Sequence, residues 1–580
     1  MLASEGGAFG GLDLVFFLGY VVTVVTIGFV AGHRKKDTVG DYFRAGNRLP
    51  WFAIGFSIIA SGISSEQFVG EMGYAYLLGM PVVNWDWLVF PAMSILLWIF
   101  IPLYLRGKIT TMPEYLERRY GGQARTMYAI LIIASYVFVN FAMVFYTGGY
   151  AIEKMWGFNR VYAVWILAVL TGAYTIYGGL TSVAWTDFFQ CALLLGGGIF
   201  LFFAGMDRID WDFAAVLSAG SNEQYGHLIP PADHPDLPWT ALIILALSTN
   251  VWYYATDQFI NQRCLGARSE WHAKMGVLLA GGLQFFLPLA TCFPGMIYRV
   301  INPDLADHNA AYPEVVAAVV PMGLRGIVVA AVLGAITSTI AGLVNSTATM
   351  TTLDIFQRWK GKDWEEKRLV RFGQYAGGIA LLIGAVLAPV VMAWDSLFRY
   401  CQDLWAPMAA PATVVFLGGA LWKGANERGA VACLWLSILT VPFSFVNKYL
   451  IDQHAFYMLP KPMQNPMVFA GSIFLISIVL LVELSRENRP KAGVLRVIGL
   501  SVLILAVGSY SAQIIAILVG VTCLGGIAVF MTRNLHPSPG AWDRSMLHLP
   551  EGEHKPWYLS LWIWWMLVAA GYVTIYAILW

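Results

Sequence analysis

SIIASGISSEQFVGEMGYAY, residues 57–76, sets four serines, one glutamine, two glutamates and three glycines inside a long apolar run. A charge at the centre of a bilayer costs about 2.5–3.5 kcal/mol on insertion scales. Glu66 and Glu71 in such a run either lie near the interface, where they snorkel or pair, or are kept for function or for fold. The surroundings support a membrane setting. Of 580 residues, 58% are hydrophobic and only 12% are charged. Soluble domains carry about 25% charged residues. The formal net charge of +1 gives no basis for a nucleic-acid partner. Six cysteines, at 191, 264, 292, 401, 433 and 523, are scattered singly and read as small packing residues. The N-terminal segment lacks a basic n-region and reads as the start of a first membrane helix.

Hydrophobic runs long enough to cross a bilayer recur along almost the whole chain. Sixteen can be marked out, and the doubtful pair within 497–532 leaves about 14–16 transmembrane helices. Basic clusters follow alternate runs: His33–Lys36, Arg106 to Arg119, Arg263/Arg268/Lys274, Arg358 to Arg368, Lys423/Arg428 and Arg486 to Arg496. Placing all of them in the cytoplasm puts both termini outside. It also divides the chain into a leading helix and cytoplasmic loop (1–50), a five-run half (51–206), an extracellular loop (207–238), a second five-run half (239–422) and peripheral C-terminal helices (423–580). An odd number of spans per half inverts the second copy. The expected architecture is thus an all-α integral membrane protein with a LeuT-type five-plus-five inverted repeat. Such folds break the first helix of each half. The matching runs here hold ASGISSEQ (60–67) and STNVWYYATDQ (248–258), the two polar mid-run stretches.

Further ionisable residues fall within apolar runs: Asp86, Asp187, Asp257 and Arg399. On 331–356, Ala335, Ser338 and Thr339 share one helix face. Hydroxyls there can simply bond the carbonyl four residues back. They become a site if other oxygens face them. Gly62 can unwind its helix and free the carbonyls of Ala60 and Ile63. Three carbonyls and two hydroxyls, all neutral hard oxygens, suit a monovalent hard cation; a divalent one wants carboxylates.

Five motifs occur in order: ISSEQFVG (63–70), ITTMPEYLERRYG (109–121), YGGLTSVAWTDFFQ (177–190), TDQFINQRCL (256–265) and LVNSTATMTTLDIF (343–356). On these the chain resembles the sodium:solute symporter family, and within it the sugar-transporting branch of the bacterial sodium/galactose type. The resemblance runs from about residue 11 to about 450. It implies a sodium site of Ala60, Ile63, Ala335, Ser338 and Thr339, with Asp187 near the sodium path. It implies a substrate site of Gln67, Asp86, Asn250, Tyr253, Gln284 and Gln402. Trp85 and Phe398 would form an outer lid, and Tyr253 an inner gate. Amides and a carboxylate satisfy sugar hydroxyls, and an aromatic face covers the ring's C–H surface; the same aromatics would equally serve helix packing. Where some members have a further hydroxyl for a second sodium, this chain has Ala341 and Gly342, which favours one sodium per substrate. Three departures, Gly62, Val89 and Gln284 in place of asparagine, serine and lysine, leave the sugar open.

The expected activity is therefore sodium-coupled import of a neutral monosaccharide across the cell membrane, with no enzymatic step. The alternative is a carboxylate such as a sialic acid, a uronate or an amino acid, for which Arg399 would be the available cation. A transporter-like nutrient sensor is a further alternative, and the apolar run at 554–580, with no kinase sequence, speaks against it.

Overall fold

The computed structural model describes residues 11–33, 37–64, 66–220, 223–234, 236–321, 323–389, 397–452, 461–486, 490–532 and 559–579. The leading run forms α1 (Gly11–Gly32), and the polar stretch divides into α2 (Trp51–Gly62) and α3 (Glu66–Leu78), bent by 54°. There follow α4 (Met80–Arg106), α5 (Gly122–Met155) and α6 (Arg160–Arg208). The second half contains α7 (239–256), α8 (Gln258–Leu265), α9 (Glu270–Phe286), α10 (Pro288–Ile301), α11 (Arg325–Trp359), α12 (Glu366–Leu387) and α13 (Leu397–Leu421). The C-terminal part adds α14 (Glu427–Asp452), α15 (Pro466–Ser485), α16 (Pro490–Tyr510), α17 (Ala512–Thr532) and α18 (Leu561–Leu579).

Ten helices among the described residues are long and apolar enough to span, or twelve when the bent pairs α2/α3 and α9/α10 each count once. The difference from 14–16 has identifiable sources. Helix α6 is two segments across Gly179, which sits at φ 56°, ψ −159° inside it. A Cβ there would lie 2.6 Å from the Tyr42 carbonyl, so only glycine fits, and the kink divides α6 into two apolar runs counted separately in the sequence. Helix α7, with Ser248, Thr249 and Asn250 in its sequence, is not among the ten. The doubtful pair within 497–532 resolves into two helices, α16 and α17, which meet at Ser511.

Helix α11 is buried almost all round from Arg325 to Met350 and packs along α6 and α1. Small residues allow this approach. A Cβ on Gly197 would already touch Ala331 at 3.1 Å. Helix α18 has a definite place. Tyr572 donates to the Gly281 carbonyl (2.9 Å), Tyr576 donates to Asn84 Oδ1 (2.7 Å), and Trp562 stacks on Trp98 at 4.0 Å. It thus braces α4 and α9, the helices that carry Asp86 and Gln284.

Candidate substrate and ion site

The break between α2 and α3 is built by a capping box. Ser64 Oγ accepts from the Glu66 N–H (3.0 Å), and Gln67 Oε1 accepts from the Ser64 N–H (2.7 Å). Ser-x-x-Gln is the sequence signature of that motif, satisfying two otherwise orphaned donors. Diverting the Ser64 N–H to Gln67 takes it from the Ala60 carbonyl, its partner in a continued helix. Ile63 turns extended at φ −103°, ψ 120°. Gly62 does not unwind the helix, contrary to expectation; it is the last helical residue, and a Cβ there would meet nothing closer than 3.8 Å. Gly62→Ala should therefore keep transport within about two-fold of the parent. Gln67→Ala should lower melting stability by about 1 kcal/mol through loss of the cap, read by thermal unfolding in detergent.

Helix α11 faces the break. Thr339 donates to the carbonyls of Ser61 (3.0 Å) and Ile63 (3.4 Å). Ser338 donates to Asp187 Oδ1 (2.6 Å) and lies 3.1 Å from the Ser61 hydroxyl. Ala60 and Ala335 are fully buried on the same two elements. Asp187, from the second segment of α6, also accepts from Ser57 (2.5 Å) and Ser61 (3.0 Å). Sequence reasoning missed three members of this cluster, Ser57, Ser61 and Arg263. Ser61 supplies both a carbonyl and a hydroxyl. Arg263, grouped above with a cytoplasmic basic cluster, is instead buried at 1% exposure; it donates to Ser57 Oγ (2.9 Å) and Ser61 Oγ and lies 3.5 Å from Asp187. Asp257 ends α7 in the same manner as Ser64 ends the first break. It turns extended and caps α8 through the Phe259 N–H (2.8 Å).

Beside the break lies a narrow cavity of about 60 Å³. Gln67, Asp86, Asn250, Tyr253, Gln284 and Gln402 all line it, together with Trp85. Ligand pockets usually reach 300 Å³ or more, so admitting a monosaccharide requires these side chains to part. Asp86 is fully engaged. Gln284 Nε2 donates to its Oδ1 (2.9 Å), and Thr291 donates to its Oδ2 (3.0 Å). Gln284 thus positions Asp86. Glu71 and Cys292 join Asp86 in a group whose polar atoms lie within 4.8 Å of one another. Glu66 lines the cavity as well, and no lysine, arginine or histidine is among its described lining residues. Asn250 Nδ2 and Gln402 Oε1 are buried without a hydrogen-bond partner among the described residues.

Trp85 and Gln402 also border a second small space, bounded by Asp236, Leu237 and Asn465. Trp85 thus stands between the cavity and the 230s loop. The Tyr253 ring lies 5.9 Å from Trp405 and 5.0 Å from Tyr254. The side chains of Phe398 and Arg399 lie outside the described residues.

Two broken helices beside a buried helix, with a polar cavity at the first break, are the arrangement of a secondary active transporter. A model of the sodium:solute symporter family matches residues 42–437. The Vibrio parahaemolyticus sodium/glucose cotransporter is 32% identical over 468 residues, covering 76% of this chain and 85% of that one. Mouse sodium/glucose cotransporter 4 is 31% identical, covering 72% of this chain and 66% of its own length. Bovine sodium/myo-inositol cotransporter 2 is 32% identical, covering 74% and 68%. A solved sodium-coupled sialic acid symporter, substrate-bound and outward-open, superposes with a TM-score of 0.67 at 21% identity, covering 75% of this chain and 97% of its own; at that identity the likeness concerns the fold. The chain belongs to the sodium:solute symporter family, is a multi-pass membrane protein of the LeuT-type five-plus-five fold, and has sodium as its co-transported ion.

Proposed function

We propose that the chain imports a neutral monosaccharide or a closely related polyol, one sodium per substrate, by alternating access. The observation that carries this is the character of the cavity. It offers a buried amide donor on Asn250 and a buried amide acceptor on Gln402, each without a partner among the described residues, beside carboxylates and aromatic rings. Buried polar groups left unpaired are costly, and a polyhydroxylated ligand satisfies donor and acceptor at once. A carboxylate substrate finds no cation among the described lining residues and meets Glu66, Glu71 and Asp86 instead.

Sodium would sit between the unwound carbonyls of Ala60 and Ile63 and the Ala335, Ser338 and Thr339 oxygens. It would tie α11 to α2 and so favour the form that accepts substrate, which is the differential interaction that coupling requires. A single sodium is favoured because Ala341, which has no side-chain oxygen, stands where some members of the family carry the hydroxyl for a second ion. Trp85 would close the outer side and Tyr253 the inner. With the basic loops cytoplasmic, both termini would be external.

The test is uptake of labelled glucose, galactose, myo-inositol and sialic acid into proteoliposomes. Asn250→Ala and Gln402→Ala should each raise the apparent KM for the neutral substrate by about ten-fold, the equivalent of one hydrogen bond to a buried group. Uptake of sialic acid alone would overturn the neutral-substrate reading.

A further inference from the structure

A cavity of about 810 Å³ lies between α1 and the second segment of α6, outside the substrate site. Its walls are mostly apolar, with Ile27, Val30 and Ala31 from α1, Trp185 from α6, and Leu49, and they also carry the hydroxyls of Thr26 and Thr181. Its rim carries Arg48 and Arg268. Both arginines are exposed, and neither forms an ion pair among the described residues. Their backbones are fixed. Ala45, Gly46 and Asn47 form a left-handed turn at φ 50°, 61° and 54°. The Asn47 amide donates to the Leu265 carbonyl (2.8 Å), and Arg268 Nε donates to the Arg48 carbonyl (2.8 Å). Asp41 stands on the same rim, where its Oδ2 accepts from the Thr38 hydroxyl (2.6 Å). Two arginines and one aspartate leave a surplus of one positive charge.

We propose that this cavity binds one anionic phospholipid, with the phosphate at Arg48 and Arg268 and an acyl chain against α1. An apolar slot ending in a basic rim matches an amphiphile with a negative head, and basic pockets between membrane helices on the positively charged face bind such head groups. A soluble anion has no use for the apolar wall. The location gives the lipid a purpose. Leu49 and the loop after α8 are tied by the Leu49 N–H to the Gly266 carbonyl (3.0 Å) and the Arg268 N–H to the Leu49 carbonyl (3.1 Å). These bonds join the entrance of α2 to the exit of α8, the two broken elements. A head group across Arg48 and Arg268 bridges the same two elements and holds this face closed.

Native mass spectrometry of the full chain, purified in detergent and given phosphatidylglycerol or phosphatidylcholine of matched chains, tests this. One phosphatidylglycerol should be retained in preference to phosphatidylcholine. Arg48→Gln should cut its retention about five-fold, the worth of one basic residue at an anionic head, and leave phosphatidylcholine unchanged. Ala31→Trp, which fills the slot without touching a charge, should lower phosphatidylglycerol retention while the melting temperature without lipid stays that of the parent. Equal retention of the two lipids, or full retention in both variants, overturns the proposal. Displacement of phosphatidylglycerol by millimolar inorganic phosphate would also overturn it, since the rim would then be a free-anion site.

Discussion

Replacing Ser338 and Thr339 together by alanine should weaken apparent sodium affinity at least 100-fold and abolish accumulation against a gradient. The two hydroxyls lie on one face of α11. One reaches the carbonyls of Ser61 and Ile63, and the other reaches Asp187. Each lost oxygen ligand is worth about 1.5–3 kcal/mol when it serves a charged group, and two such losses exceed the 2.8 kcal/mol or so that a hundred-fold change requires. Thr339→Ser should retain most of the affinity because it keeps the oxygen. Sodium titration of initial uptake rates gives the answer. Unchanged sodium dependence in the double variant would remove the ion from this place.

Arg263→Met should destabilise the fold by about 3–5 kcal/mol, the usual result of removing one partner of a buried ion pair. Asp187 would be left at 0% exposure with serine hydroxyls and no cation. The double variant Arg263→Met/Asp187→Asn should recover most of the loss, because no buried charge then lacks a partner. Thermal unfolding in detergent measures both. If the double variant melts as low as the single one, the damage comes from packing against Phe259, whose ring lies 5.1 Å from the guanidinium, and not from the charge.

The two breaks were legible because polar residues interrupt apolar runs at corresponding places in the two halves. The hydroxyl pair on α11 was legible from helical spacing. The role of Arg263 was not. Its position next to basic loop residues groups it with them in a count of positive charges, whereas its partner Asp187 lies 76 residues away and is met only once α8 folds against α2 and α6. Gln67 is a different case. Ser64-x-x-Gln67 is a capping signature on its face, and attention to substrate chemistry alone hides that its amide oxygen holds the break. Glu71, Asp86 and Cys292 sit on three different helices, and only the packing of α3, α4 and α10 brings them together. The brace formed by α18 had no signal either, since its apolar sequence fits any lipid-facing helix.

The most direct measurement is simultaneous uptake of radiolabelled sodium and a radiolabelled neutral sugar or inositol into proteoliposomes, under inward sodium or potassium gradients. The account predicts uptake of both labels in a one-to-one ratio, only with sodium, and loss of both in Ser338→Ala/Thr339→Ala. Equal substrate uptake in potassium, or coupled uptake that survives in the double variant, would contradict an ion-coupling site at the broken helix.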